Sequence, residues 1–176
     1  MIFLKLCKRK CNNIFREIKE SFCLFTLICI AASVLLGFLS RCLSESPIYL
    51  IGLLRIRGSI PSIWLLSVIW VIFYALIGFS FGAAISKKCY GVSIHKYRGG
   101  MFLAIMMIFN VIWYPMFFSS HLFFLCLIDI ALMIFFTVVA AVEFFKVNKI
   151  SAVILLLYLP WLIYCLFLNW VVIIKI

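Results

Sequence analysis

Residues 155–170 read LLLYLPWLIYCLFLNW. Eight of these sixteen residues are Leu or Ile, which suits a helix in lipid. The same stretch holds Tyr158, Pro160, Trp161, Tyr164 and Asn169. A proline frees a backbone carbonyl, and an asparagine brings an amide that hydrocarbon cannot solvate. A spanning helix keeps such groups where neighbouring helices satisfy them. The stretch therefore reads as one wall of a helix bundle whose inner face carries polar and aromatic groups.

The rest of the chain agrees. Of 176 residues, 68% are hydrophobic and 12% charged, against roughly 25% charged in a soluble domain. A spanning helix needs about 20 apolar residues. Five segments meet this, near 21–39, 62–85, 101–119, 122–145 and 151–173. The breaks between them are SRCLSESP, SKKCYGVSIHKYRGG, SSH and KVNK. The reading is an all-α integral membrane protein, a bundle of five transmembrane helices. Residues 1–20 form a basic juxtamembrane tail, and 21–176 a single domain. The three-residue SSH break predicts a tight antiparallel pair of helices three and four.

Lys and Arg near helix ends favour the cytoplasmic side. Twelve lie in the N-terminal tail and the second and fourth breaks. Four lie on the opposite side: Arg41, Arg55, Arg57 and Lys175. This predicts a cytoplasmic N-terminus and an external C-terminus, in a bacterial cell membrane. The net charge of +11 fits contact with anionic lipid heads and no nucleic acid. The tail is too long for a signal-peptide n-region, and no small-x-small cleavage site follows the first apolar run. Helix one reads as a retained span. Ile14, Ile18 and Phe22 sit one turn apart, the spacing of a surface amphipathic helix; a solvated basic tail is the other reading.

Eight cysteines show no CxxC pair, and half of them lie in apolar segments, where a free Cys packs as a small hydrophobe. His95 and His121 are both expected in loops. They form no metal site and supply no helix-borne haem ligands.

Side chains three or four apart share a helix face. Ser67, Trp70, Tyr74 and Gly78 make such a stripe, as do Asn110, Trp113 and Phe117. So do Tyr158, Trp161, Cys165 and Asn169. Trp and Tyr also gather at membrane interfaces, the ordinary explanation for Trp64, Trp113, Trp170 and Tyr114. Trp70 and Trp161 lie deeper and share stripes with polar groups, as in an internal aromatic-lined pocket. Asp129 is the carboxylate of helix four. It is either interfacial and wet, or a buried acceptor for an Asn, a Trp N–H or a ligand.

In order, the chain shows PxxW at 61–64, WxxxYxxxG at 70–78 and NxxWxPxFF at 110–118. An Asp follows eleven residues on, then YxxWxxxxxxxN at 158–169. This series, over roughly residues 60–170, resembles the tryptophan-rich sensory protein family, TspO/MBR, which includes the translocator or peripheral benzodiazepine receptor. Trp70 and Tyr74 match its helix-two motif, here WVIFY. Asn110, Trp113, Pro115, Phe117 and Phe118 match helix three; Tyr158, Trp161 and Asn169 match helix five. The departures are a first loop reading Arg57-Gly58-Ser59-Ile60-Pro61, without the family's Trp and Pro-Pro, and a displaced Pro160. No cholesterol-type pattern surrounds Tyr164.

The resemblance implies a ligand-binding membrane protein, sensory or regulatory, with the first loop folded over its pocket. Its ligand class is porphyrin, protoporphyrin IX or haem-like, or another flat hydrophobic molecule. The implied ligand residues are Trp70, Tyr74, Asn110, Trp113, Phe117, Asp129, Tyr158, Trp161 and Asn169. A porphyrin is expected stacked between Trp70 and Trp161. No cofactor is required, and a homodimer is an open assembly. The alternatives are light-dependent porphyrin degradation at Trp70 and Trp161, a transporter, and a structural subunit. The sequence holds no acid/base dyad or activated nucleophile, and five helices do not halve into a transporter's repeats.

Overall fold

The computed structural model describes residues 24–44, 63–87 and 94–175. They form six helices: α1 Leu24–Cys42, α2 Ile63–Ser86, α3 Ile94–Phe118, α4 Phe123–Phe145, α5 Lys149–Leu156 and α6 Leu159–Lys175. Five segments among them are long and apolar enough to cross a membrane, α5 and α6 together making the fifth. The fold is an all-α five-span bundle. The N-terminal tail, most of the first loop and the Arg57–Pro61 departure lie outside the described residues.

The break in the fifth span sits where the sequence placed its proline. Pro160 has no N–H to continue the ladder, and α5 gives way to α6 through Leu157 and Tyr158. The Tyr158 amide donates to the Leu155 carbonyl at 3.1 Å, an i→i−3 turn. One continuous helix over 151–173 was the expectation; the span is two helices, and Tyr158 occupies the joint. Pro115 lies inside α3 and frees the Val111 carbonyl one turn earlier. That carbonyl is satisfied from outside: Ser40 Oγ on α1 donates to it at 2.7 Å.

α3 and α4 pack along each other most extensively, as their short connection predicts, and α1 packs chiefly on α2. α4 also contacts α5 and α6, α2 contacts α5, and α1 touches α3. The α1–α2 contact is unusually close. A Cβ on Gly78 would meet backbone atoms of Cys29 and Ile30, and one on Gly82 the backbone of Thr26. Gly78-Phe79-Ser80-Phe81-Gly82 is thus a small-xxx-small surface, which lets helices approach where lipid supplies no hydrophobic drive.

α3 begins seven residues before the expected 101, because polar residues continue the helix past the apolar run. His95 therefore stands in the first turn of α3, not in a loop. Its Nδ1 lies 2.5 Å from Glu143 Oε2 on α4, and Arg98 and Lys146 flank the same carboxylate at 3.9 and 4.0 Å. His121 is in the short α3–α4 connection, with φ 54°.

Candidate functional site

The three stripes read from the sequence all turn inward. Tyr74, Asn110, Trp113, Phe117, Tyr158, Trp161, Cys165 and Asn169 are buried, and Trp70 is half-buried. Trp64 and Trp170 are 73% and 54% exposed, as belt residues should be. Trp113, a belt candidate taken alone, is 7% exposed and belongs to the interior.

Asn110 is the hub. The Tyr74 hydroxyl donates to its Oδ1, and its Nδ2 donates to the Tyr158 hydroxyl. One amide thereby ties α2, α3 and the α5–α6 joint together. It is 1% exposed, so neither bond has a competing water.

Around the hub the aromatic rings close on one another. Trp70 meets Tyr74 and Trp113 at centroid distances of 5.8 Å each. Trp161 meets Trp70 edge-on at 5.7 Å and 89°. Phe73 stacks on Trp161 at 5.6 Å, and Trp113 on Phe117 at 5.1 Å. These spacings are those of attractive aromatic pairs. They correct one expectation. Trp70 and Trp161 touch each other, so their rings leave no slot for a porphyrin between them.

One open space lies on the other side of Trp70. A cavity of about 290 Å³ is bounded by α1, α2 and α3. Trp70, Tyr74, Asn110 and Trp113 line it, together with Leu66, Ser67, Val71 and Tyr114. The α1 wall is Val34, Gly37, Phe38 and Arg41. Phe117 packs on Trp113, while Trp161 and Tyr158 stand behind Trp70 and the hub. Asp129 and Asn169 are buried but do not line the cavity.

The α1 wall was missed because most of that helix shows an apolar outer face. A signal was present. Thr26, Ser33 and Ser40, each seven residues apart, are the buried positions of α1, and Gly37 shares their face. Tyr74's ring lies where a Cβ on residue 37 would stand. Small residues seven apart in a spanning segment mark a packing seam.

The TspO/MBR family model matches residues 25–174. The chain belongs to the TspO/MBR family. Comparisons with curated proteins and with solved structures give no match. The matched residues contain every wall of the cavity, so this TspO/MBR chain keeps the region on which its resemblance rested and carries its own α1 wall within it.

Asp129 is 6% exposed, so little of its carboxylate reaches the surface. Its Oδ2 has no hydrogen-bond partner among the described residues; nor do the indole N–H groups of Trp113 and Trp161 or the amide of Asn169. An unsatisfied buried polar group costs about 1–3 kcal/mol. Asp129→Leu, close in volume and needing no partner, is therefore expected to hold or raise the thermal midpoint in detergent. A fall of several degrees would mean that the carboxylate has a stabilising partner.

Proposed function

We propose that the protein binds a flat, hydrophobic small molecule within the membrane, with porphyrin as the leading class, in the cavity between α1, α2 and α3. The observation that carries this reading is the cavity wall of Trp70, Trp113, Tyr74 and Asn110. It combines broad aromatic faces with a few fixed polar groups, the usual make-up of a small-molecule site. At about 290 Å³ it lies just below the ~300–1,000 Å³ range of such sites. A tetrapyrrole enters by one edge, against the faces of Trp70 and Trp113.

Titrating the purified protein in detergent with protoporphyrin IX tests this through quenching of indole fluorescence. Trp70→Phe and Trp113→Phe should each weaken binding about two- to tenfold, since an aromatic contact contributes about 0.5–1.5 kcal/mol beyond its area. Trp161→Phe should weaken it less, because Trp161 reaches the cavity only through Trp70. Trp170→Phe should change nothing. Equal affinities across all four variants would remove the site from this cavity. Loss of the porphyrin's own absorbance under illumination would add the degradation activity.

The orientation of the spans is proposed from charge, with the N-terminus cytoplasmic. Cys42 is exposed at the end of α1 and falls on the external side. An impermeant maleimide applied to intact cells should label Cys42 and spare Cys7 and Cys11. The reverse labelling pattern would invert the topology.

A further inference from the structure

We infer that Arg41 and Tyr114 form an anion subsite at the rim of the cavity, so that the ligand carries a carboxylate on its otherwise apolar body. The inference deepens the reading above and rests on it. Arg41 lies in the last turn of α1 and is exposed. Its Nη1 crosses to α3 and donates to the Tyr114 hydroxyl at 2.9 Å. Both residues line the cavity.

A guanidinium has five donors and stays charged at all accessible pH. This one donates a single bond within the described residues, to a neutral group. The ion pairs among the described residues all converge on Glu143. Tyr114 accepts from Arg41, so its own hydroxyl proton is left to donate. The acceptor side of the wall is by contrast occupied: Asn110 Oδ1 already receives Tyr74. A wall with a cation and further donors, and its central amide oxygen already taken, selects an acidic group. Arg reads a carboxylate through paired, charge-assisted bonds.

Arg41 also has a simpler role available, since a cation at a helix C-terminus is favourable in itself. That role predicts no dependence on the ligand's charge. A phosphate from an anionic lipid offers the same chemistry from outside. The bond to Tyr114 draws the guanidinium across the cavity mouth toward α3, which favours the bound amphiphile.

Two probe pairs separate these cases: protoporphyrin IX against its dimethyl ester, and 1-pyrenebutyric acid against 1-pyrenebutanol. Binding is measured in non-ionic detergent, without and with phosphatidylglycerol. Each acid should bind about tenfold tighter than its neutral partner. Arg41→Gln should remove that preference, weakening each acid about tenfold more than its neutral partner. Arg41→Lys should keep part of it, and Tyr114→Phe should reduce it. If acid and neutral probes bind the unaltered protein equally, or if Arg41→Gln weakens both alike, the subsite is overturned. A preference that vanishes once phosphatidylglycerol is present assigns Arg41 to lipid and overturns it too. Should neither porphyrin bind while the pyrene pair shows the preference, the porphyrin class fails and the anion subsite stands.

Discussion

Asn110→Leu is expected to lower stability by roughly 2–4 kcal/mol, and with it the thermal midpoint by about 10 °C. The side chain is nearly isosteric, so the loss is chemical. Leucine strands two buried hydroxyls at once, those of Tyr74 and Tyr158. Each unmade buried hydrogen bond costs about 1–3 kcal/mol, whereas removing all partners together is close to neutral. The triple variant Tyr74→Phe, Asn110→Leu, Tyr158→Phe should therefore recover most of the loss. Scanning fluorimetry in one detergent reads both. A single variant as stable as the parent would show that the amide is not the tie between α2, α3 and the fifth span. A triple variant no better than the single one would show that volume, not hydrogen bonding, governs the position.

That hub was partly legible. The spacing of Tyr74, Asn110 and Tyr158 put each on an inward stripe, and all three are buried. Which of them bond cannot follow from spacing within separate helices; it depends on how the helices are rotated and offset. The same limit explains Trp70 and Trp161. Facing stripes were expected to leave a slot, and the rings close it by edge contact. Whether two facing stripes enclose a space depends on the interaxial distance, which small residues set and stripes do not reveal.

The five spans were legible because hydrocarbon demands about 20 apolar residues whatever the sequence. Helix ends were less so. Hydropathy reports where lipid ends, and the helix continues while its backbone bonds continue. Hence His95 to Gly100 extend α3 beyond its apolar run. Gly99 and Gly100 look like a breaker, yet Gly99 sits against the Phe144 ring, where a side chain would collide. The α1 wall was least legible. The helix is seated by Gly37 and a narrow line of small polar residues, while most of its large side chains face outward.

Gly78→Val should have the other large effect, on the cavity as well as on stability. A Cβ at residue 78 would meet the Cys29 carbonyl oxygen and the Ile30 Cα, which are backbone. Backbone cannot turn aside as a side chain can, so the whole of α1 has to shift. Overpacking of this kind costs about 1–3 kcal/mol and occasionally more; here it also breaks a seam that Gly82 and Thr26 continue. Val34, Gly37, Phe38 and Arg41 ride on α1, so the cavity loses its α1 side and protoporphyrin affinity should fall at least about tenfold. Gly100→Ala is the contrast. Its Cβ would meet side-chain ends alone, Ile85 Cδ1 at an ordinary 3.6 Å and Phe81 Cε2 at 3.2 Å, the edge of a ring that can yield by a few tenths of an ångström. It should cost about 1 kcal/mol or less and leave binding intact. If Gly78→Val binds porphyrin as the parent does, α1 is not a wall of the site. If Gly100→Ala proves equally damaging, close α1–α2 approach is not what distinguishes Gly78.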